Sequence, residues 1–251
     1  MEDWRTVELD NYQIRGLNRP KFKEVNKRYA RIVRQEEKGL RLFTTDIALF
    51  NFCPYRYTLP KILSKTKLKT LRQESGTQAS LEYGSQTHSI SSLVPKPLKA
   101  RKNKVTYQIP NIIVLRWNYK TAIITGKPDN LVTTDNKIDY IEEGKTSRHK
   151  EWLVYDKTQS NIYCWLAHQI TEDPKQIYRL SRLKDTGKIE SFIDYDYNQI
   201  EAEASIETFY KYKVENSSIS LPKDWTLDRC NAGPRGCDYT ELCPIRKTLF
   251  P

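Results

Sequence analysis

The placement of the cysteines constrains the fold of this chain more than any other feature of its sequence. One cysteine lies near the start, Cys53 in FNFCPYRY, and three lie near the end in DRCNAGPRGCDYTELCP, at Cys230, Cys237 and Cys243. All four stand in polar, turn-like surroundings, and four thiolates complete the coordination shell of a zinc ion or an iron-sulfur cluster. A shared site would therefore join the two ends of the chain.

The fifth cysteine and the N-terminal residues indicate the cellular compartment. Cys164 lies in the apolar helical pattern NIYCWLAH and is expected in the core, so the odd total argues against a disulfide framework. The first residues, MEDWRTVELDNYQ, contain no apolar signal segment, and no apolar run approaches the ~20 residues that span a bilayer. These features predict a soluble, cytoplasmic protein that does not enter a membrane.

Positive charge is concentrated in one third of the sequence. The net charge is +11, and residues 47–128 alone carry 14 Lys and Arg against two acidic residues. Aromatic residues are interspersed in this segment, at Tyr55, Tyr57, Tyr107 and Trp117. Basic and aromatic side chains together suit a phosphate backbone with bases stacked on rings, although a solvated basic face is an equally simple interpretation.

The first part of the chain has helical patterns. RPKFKEVNKRYARIVRQEEKG predicts an N-terminal helix, TTDIALFNF a second helix with a threonine cap, and residues 57–72 a basic helical stretch. A loop and a helix that carries His88 follow. The segment SLVPKPLKARKNK, which contains two prolines, predicts a connector.

The second part is rich in β-strand patterns. The runs VTYQIPNIIVLRWNYK, TAIITGKPDNLVTT and KIDYIEEGKT predict strands, followed by a helix over 154–170 and two more strands, KQIYRLSRL and KIESFIDYDY. A helix, NQIEAEASIETFYKYKV, precedes the cysteine-rich tail. Helices, then a sheet, then helices again indicate one α/β domain with a helical N-terminal part.

Strand geometry gives a role to the carboxylates in the LVTT–DNK–IDYIEE hairpin. If its loop is odd and centred on Asn136, Asp129 lies opposite Glu143, whereas an even loop places Glu142 there instead. The alternation of side chains favours Glu143, because Lys145 then projects to the same face. Two carboxylates that face each other at ~4.5–5.5 Å between Cβ atoms repel unless a cation lies between them.

This arrangement suits metal-assisted hydrolysis of a phosphodiester. Asp129 and Glu143 would bind Mg²⁺ or Mn²⁺, and Lys145 would stabilise the attacking hydroxide and the charge on the phosphate. His88 could add a nitrogen ligand, which favours Mn²⁺. Each residue also has an ordinary interpretation: a solvated Glu–Lys pair, a turn aspartate and a structural histidine.

The order of the motifs carries a resemblance to a known family. Along the chain stand CPYR at 53–56, GSQTH at 84–88, GKPD at 126–129, EGK at 143–145, QSNIY at 159–163 and the three late cysteines. Over about residues 43–246 this set resembles the RecB-like nucleases of the PD-(D/E)XK superfamily. The iron-sulfur branch, represented by the CRISPR-associated Cas four exonucleases, is the most similar.

The resemblance implies a restriction-endonuclease-like core, with a central mixed β-sheet flanked by helices, over residues 43–251. It leaves residues 1–42 as an N-terminal helical extension. The implied metal ligands are His88, Asp129, Glu143 and the carbonyl of Gly144, with Lys145 as the catalytic lysine. Contacts to DNA are implied for Gln159 and Tyr163 on one helix face, and Arg56 and Lys127, which stand inside the motifs, are further DNA-binding candidates.

By the same resemblance, Cys53, Cys230, Cys237 and Cys243 bind a 4Fe-4S cluster with a structural role. The spacing departs from that of similar proteins, which commonly have two residues between the second and third cysteines, whereas NAGPRG separates them here. A zinc ion or a degenerate site without metal are the alternatives.

The function expected from these features is a metal-dependent DNA nuclease, of the exonuclease type, acting on single-stranded DNA or duplex overhangs. Members of the family trim DNA ends before spacers enter CRISPR arrays, which implies the spacer-integration complex as a partner. A repair, recombination or viral end-processing nuclease is one alternative, and an inactive nucleic-acid-binding module is another. Similar proteins occur as monomers and as rings, so a homo-oligomer stays open.

Overall fold

The computed structural model describes residues 40–74, 82, 96–101, 104–110, 115–134, 137–146, 153–171, 177–183, 189–231 and 237–245. Over these ranges the chain is a mixed α/β structure with two β-sheets. The expected N-terminal helix and the helix that carries His88 lie outside the described residues. No helix within those ranges is long and apolar enough to cross a membrane.

Nine strands and five α-helices are described. The strands are β1 (Leu40–Phe43), β2 (Lys96–Arg101), β3 (Lys104–Pro110), β4 (Leu115–Tyr119), β5 (Ala122–Gly126), β6 (Asn130–Thr134), β7 (Lys137–Lys145), β8 (Ile177–Leu183) and β9 (Ile189–Asp196). The helices are α1 (Thr44–Phe52), α2 (Pro54–Ile62), α3 (Lys65–Glu74), α4 (Leu153–Thr171) and α5 (Gln199–Val214), and a 3-10 turn covers Leu227–Asn231.

Both sheets are mixed. The smaller has the order β1-β5-β4, in which β1 is parallel and β4 antiparallel to β5. The larger has the order β2-β3-β6-β7-β8-β9, and only the β7–β8 pair is parallel. Helix α4 connects these two parallel strands, as a crossover between parallel neighbours requires.

One apolar core joins the helices to both sheets. Helix α4 contacts β4 and β5 of the smaller sheet, β7 and β8 of the larger sheet, and helices α1 and α5. Its central residues from Ile162 to Ala167 are all buried, as are Leu42 of β1 and Ile141 of β7. Because α4 is buried on so many sides, the residues of its first turns are held firmly against the ends of β5 and β7.

Three local expectations differ from the structure. The predicted cap Thr44 lies inside α1, whose N-cap is Phe43, because the Thr44 side chain is hydrogen-bonded to Tyr163 instead. The predicted helix over 57–72 is two helices, α2 and α3, because Ser64 accepts a hydrogen bond from the Lys67 N–H and begins a new helix.

The third difference lies in SLVPKPLKARKNK, where β2 occupies Lys96–Arg101 of the predicted connector. Its proline is tolerated because β2 is an edge strand and its pairing with β3 is irregular between Pro97 and Lys99. Strand β1, which follows no extended pattern in the sequence, adds Leu40–Phe43 to the smaller sheet by pairing with β5.

Candidate active site and cysteine pocket

Asp129 lies where the chain passes from the smaller sheet to the larger one, between the end of β5 at Gly126 and the start of β6 at Asn130. Asn130 is paired with Glu142 of β7. One residue earlier, Asp129 therefore lies opposite Glu143. The register predicted for this end of the hairpin is confirmed.

The register is reached in a different way from the one the sequence suggested. Next to the turn, Thr133 pairs with Ile138 and Thr134 with Lys137, which is the pairing of an even loop. An irregularity between Val132 and Thr133 shifts the strands by one residue. The odd loop was thus a wrong expectation, and a β-bulge restores the odd register at the site.

Two reciprocal hydrogen bonds hold the carboxylates in place. The Asp129 N–H donates to Oε1 of Glu143 over 3.0 Å, and the Gly144 N–H donates to Oδ2 of Asp129 over 2.9 Å. Glu143 is only 3% exposed. Each carboxylate is therefore positioned by the backbone of the opposite strand.

The Lys145 ammonium lies among three acceptors. Its Nζ donates to Oε2 of Glu143 at 3.1 Å and to Oε1 of Gln159 at 3.0 Å, and it lies 3.4 Å from Oδ1 of Asp156. Since an ammonium has three N–H donors, these contacts account for its whole capacity. Lys145 shares a face of β7 with Glu143, as the alternation of the strand predicts.

The electrostatics of this group follow from burial and mutual proximity. Burial raises the pKa of Glu143 to about 7, assisted by repulsion from Asp129 and opposed by Lys145. Burial likewise raises the pKa of Asp129. Burial alone would lower the pKa of Lys145, but the carboxylates of Glu143 and Asp156 raise it well above its ordinary value. The cluster thus carries a fixed cation beside two carboxylates that repel each other.

Gln159 and Tyr163 form a buried relay behind the lysine. The amide of Gln159 accepts from Lys145 through Oε1 and donates through Nε2 to the Tyr163 hydroxyl at 2.9 Å. Gln159 is 6% and Tyr163 2% exposed. Both residues lie one turn apart on α4, as their spacing predicts, and here they support Lys145 rather than forming an open surface.

Gly126 makes the close packing of this relay possible. A Cβ atom at Gly126 would lie 2.6 Å from Cε1 of Tyr163 and 2.7 Å from Cγ2 of Thr44. No side chain fits at that distance unless one of these neighbours moves. The glycine of GKPD is therefore required by the approach of α4 to the end of β5.

Two residues in the first turn of α4 belong to the site and were not among the candidates predicted from the sequence. Asp156 is the third acceptor around Lys145, and Tyr155 lies with its ring centroid 6.0 Å from the Lys145 ammonium. Asp156 precedes Gln159 by three residues and so lies on the same helix face, a spacing that could have identified it. Tyr155 carries no comparable signal in the sequence.

The two basic candidates have different environments. Lys127 is exposed, next to Asp129, where a phosphate could reach it. Arg56 is 9% exposed, and its guanidinium lies 5.7 Å from the ring centroid of Phe52. Arg56 also lines the cysteine pocket, so its position does not form part of an open DNA surface.

The four predicted cysteines, which lie near opposite ends of the described chain, come together in the fold. Cys53, Cys230, Cys237 and Cys243 all line one concave pocket. All four are free thiols, and Cys164 lies apart from them in the core of α4. The structure therefore joins the first cysteine to the last three, as the sequence predicts.

An arginine next to Cys230 fastens this pocket. Arg229 is 5% exposed and donates to the carbonyls of Asn51 at 3.3 Å and Phe52 at 3.1 Å, at the end of α1. It also donates to the Asp224 carboxylate over 2.5 Å. One guanidinium thus binds the residues before Cys53 to the turn that carries Cys230.

The thiols fit a soft metal centre by their chemistry and location. Burial raises the pKa of Cys230 to about 11, and the other three cysteines add to the shift. Burial also raises the pKa of Cys53 and of Cys237, while Arg56 opposes the shift in both. Four free thiols that lie together in one pocket match the donor set of zinc or of a 4Fe-4S cluster.

The carboxylate site likewise offers oxygen donors suited to Mg²⁺ or Mn²⁺, from Asp129 and Glu143. His88 lies outside the described residues. Among the residues that are described, no group of three or more His, Cys, Asp or Glu side chains has the spacing of a formed metal site.

Tyr155 connects the two regions. It packs against Phe52 and Cys53 on one side and lies next to Lys145 on the other. Since Asp156 follows Tyr155 directly, a displacement of the end of α1 would also shift the partners of Lys145. The cysteine pocket and the carboxylate site are therefore in physical contact through the first turn of α4.

Comparisons with known proteins give only weak structural similarity. The sequence matches no protein-family model and no curated protein. The crystal structure of SSO0001 is 18% identical with a TM-score of 0.45, over 90% of this chain and 95% of that chain. The crystal structure of Rai1 from Scheffersomyces stipitis is 10% identical with a TM-score of 0.32, over 81% of this chain and 69% of that chain. The structure of this Rai1 in complex with (3'-NADP)+ and calcium ion is 9% identical with a TM-score of 0.34, over 81% of this chain and 70% of that chain.

Proposed function

We propose that this chain is a metal-dependent DNA nuclease with a restriction-endonuclease-like PD-(D/E)XK core, related to the RecB-like iron-sulfur exonucleases. The observation that carries the proposal is the position of Lys145. Its ammonium lies 3.1 Å from Glu143, which is itself hydrogen-bonded to Asp129 across the hairpin. Two facing carboxylates can hold a divalent cation, and a lysine beside them can stabilise the charge that develops on a phosphodiester during hydrolysis.

Asp129 and Glu143 would hold Mg²⁺ or Mn²⁺, with the Gly144 carbonyl and His88 as further donors. The bound cation supplies a lowered pKa for the attacking water and neutralises charge on the phosphate. Lys145 orients that water and stabilises the negative charge that develops as the bond to phosphorus forms. Gln159 and Asp156 would hold the ammonium in place while Glu143 serves as a metal ligand.

The substrate of this proposal is single-stranded DNA or the overhang of a duplex. The support is the concentration of basic residues over 47–128 and the exposure of Lys127 next to Asp129. Trimming of DNA ends before CRISPR integration, with the spacer-integration complex as partner, is the biological setting that the family resemblance favours. Repair, recombination or viral end processing uses the same chemistry.

The four cysteines of the pocket would hold a 4Fe-4S cluster, whose contribution is structural. With the cluster bound, Cys53 and the three late cysteines would fix the end of α1 against the C-terminal turns. Arg229 already holds the same elements together through carbonyl groups. Phe52 and Tyr155 then transmit this fixed position to the first turn of α4.

The test is cleavage of a single-stranded oligonucleotide, labelled at its 5′ end and then at its 3′ end, with Mg²⁺, Mn²⁺ or EDTA. Lys145→Ala is expected to lower the rate by at least about 10²-fold, because it removes a donor that stabilises developing charge. Lys157→Ala is the matched control, since Lys157 lies on α4 but its ammonium stacks on Tyr195 at 4.2 Å.

Cleavage that requires metal and fails only in Lys145→Ala supports the proposal, and the two labels reveal its polarity. Cleavage that persists in EDTA or in Lys145→Ala contradicts it. Tight, salt-sensitive binding of the oligonucleotide without cleavage under any metal would instead indicate a nucleic-acid-binding module.

A further inference from the structure

The sequence places two glutamates side by side, and the proposed chemistry uses only one of them. Glu142 and Glu143 are neighbours in β7 and therefore project to opposite faces of the sheet. Both are 3% exposed. A carboxylate buried this completely is costly unless polar groups bind it, so the position of Glu142 needs an explanation of its own.

Glu142 is bound from the strands on both sides. The Ser181 hydroxyl of β8 donates to its Oε1 over 2.6 Å, and the Asn130 amide of β6 donates through Nδ2 to its Oε2 over 3.2 Å. Ser181 is 1% exposed, so the stronger of these bonds is fully removed from water. One carboxylate therefore ties together the three strands on which the candidate active site is built.

The two hydrogen bonds of Glu142, to Ser181 and Asn130, form a clamp. The clamp lies in the part of the hairpin where two registers are possible. Between Thr133 and Thr134 on one strand and Lys137 and Ile138 on the other, pairing follows the even pattern. If that pattern continued to the end of β6, Glu142 would lie opposite Asp129. A shift of one residue would turn every side chain of β7 to the other face.

The bulge after Val132 permits the correct register, but a bulge alone does not select it. The Asn130–Glu142 pair is directly opposite in the ladder, two residues beyond the bulge, and it adjoins Asp129 and Glu143. In the shifted register, Glu142 would leave Ser181 and Asn130 and lose these bonds. The buried carboxylate thus makes the alternative pairing unfavourable.

We infer that Glu142 is a positioning residue, whose carboxylate, bound by Asn130 and Ser181, fixes the register that places Glu143 opposite Asp129. The inference rests on the proposed function for its effect on catalysis. It concerns a different face of the sheet from the proposed metal ligands. The negative charge of Glu142 also acts on Arg179, its neighbour on β8. The inference assigns the register to the hydrogen bonds of Glu142, which a glutamine can also make.

The variants that test this inference separate hydrogen bonding from general destabilisation. Glu142→Ala removes both bonds. Glu142→Gln retains them, since its Oε1 still accepts from Ser181 and its amide can pair with a flipped Asn130 amide. Ile206→Ala is the control, because Ile206 is fully buried on α5 and its truncation weakens the fold without touching the hairpin.

Two measurements on the full chain give the result. Mn²⁺ affinity, measured by titration calorimetry, is expected to fall at least tenfold in Glu142→Ala and to stay within threefold of wild type in Glu142→Gln and Ile206→Ala. Amide exchange of the Gly144 N–H, which donates to Asp129, is expected to accelerate at least tenfold relative to the exchange of the β8–β9 hairpin, in Glu142→Ala alone.

The outcomes distinguish this inference from the proposed function. Wild-type Mn²⁺ affinity and Gly144 exchange in Glu142→Ala would overturn the positioning role, and so would equal losses in Glu142→Ala and Ile206→Ala. If Glu142→Ala does not fold, Asn130→Ala and Ser181→Ala replace it, and unchanged Gly144 exchange in both overturns the inference. If the wild-type chain binds no Mn²⁺, the nuclease proposal fails while Gly144 exchange still decides the role of Glu142.

Discussion

The carboxylate site and the cysteine pocket are held together in opposite ways. At the carboxylate site, hydrogen bonds within the protein position the donors themselves, from the Gly144 N–H on Asp129 to the amide of Gln159 on Lys145. In the cysteine pocket, Arg229 fastens the walls, and burial raises the pKa of the Cys53, Cys230 and Cys237 thiols.

The difference shows which part of each site depends on a metal. A register of strands and a set of hydrogen bonds define the carboxylate site, so its residues keep their places with or without a cation. Thiols with raised pKa values stay protonated at neutral pH until a soft metal displaces the protons, and this displacement links metal binding to folding. Loss of metal should therefore disturb the two regions unequally.

The largest expected effect is loss of the bound metal from the cysteine pocket. Cys243→Ser removes one of four thiols and should reduce iron or zinc, measured by elemental analysis, from stoichiometric to near zero. Unfolding should become easier by several kcal/mol, because structural metal sites contribute on the order of 10 kcal/mol. A 4Fe-4S cluster in anaerobically purified wild type would also give brown protein with broad absorbance near ~400 nm.

Cys164→Ala is the matched control for this experiment. Its thiol is fully buried in α4 and its Sγ lies 3.6 Å from the Ile177 carbonyl, away from the pocket. The metal content of this variant should equal that of wild type. Equal metal in Cys243→Ser and wild type would show that the pocket is not the binding site.

The next largest effect is expected from Arg229→Ala, which tests whether the pocket is held together without metal. The change removes bonds to the carbonyls of Asn51 and Phe52 and to the Asp224 carboxylate. We expect a loss of about 3 kcal/mol in the free energy of unfolding, because buried acceptors are left without donors. Denaturant titration of chelator-treated protein measures it.

The control for Arg229→Ala is Lys120→Ala, which breaks the exposed ion pair with Glu207 and should leave the free energy of unfolding almost unchanged. If Arg229→Ala costs no more than Lys120→Ala in metal-free protein, the metal alone holds the two ends together. The contrast between the two regions would then be sharper than the hydrogen bonds suggest.

The parts of the site that follow from short-range patterns could be predicted from the sequence. Alternation along β7 placed Glu143 and Lys145 on one face, and helical spacing placed Gln159 beneath Tyr163 on α4. The convergence of the four cysteines on one pocket could also be predicted, because free thiols in polar turns at both ends of the chain have few roles other than metal binding.

Features that depend on tertiary contact could not be predicted in the same way. The four residues of β1 form a strand only because β5 lies beside them. Arg229 stands in no pattern, and its role arises from carbonyls that the fold brings next to it. The bulge after Val132 also escaped prediction, since the loop length and the register at the site were taken to be one quantity.

A smaller effect is expected from Gly126→Ala, which tests how rigidly α4 is held against β5. The new Cβ would meet the Tyr163 ring and the Cγ2 atom of Thr44 at 2.6–2.7 Å. Overpacking of this kind costs about 1–3 kcal/mol and should move the relay behind Lys145, so both stability and cleavage should fall.

Thermal unfolding and the cleavage assay measure the effect of Gly126→Ala. Addition of Thr44→Ser, which removes Cγ2 but keeps the hydroxyl, should restore part of the lost stability. Cysteine-bound metal should stay unchanged in both variants. Loss of that metal would mean that the two regions are coupled more tightly than their separate bonding suggests.

The smallest expected effect is that of Tyr163→Phe, which shortens the relay without opening the core. The hydroxyl accepts from Nε2 of Gln159, and its loss should cost about 1 kcal/mol in unfolding. Cleavage should fall by less than about tenfold, because Gln159 keeps its bond to Lys145 through Oε1. A loss as large as that of Lys145→Ala would give Tyr163 a direct part in the chemistry.

Tyr57→Phe is the matched control for this last change. The Tyr57 hydroxyl is buried and has no hydrogen-bond partner among the described residues, so its removal relieves a desolvated group instead of breaking a bond. Stability should therefore stay the same or rise in Tyr57→Phe and fall in Tyr163→Phe. Because both tyrosines lie in the same core, the difference between the two variants measures the combined free energy of the Gln159 and Thr44 bonds to the Tyr163 hydroxyl, and a difference near zero would show that these bonds contribute nothing to the rigidity of the carboxylate site.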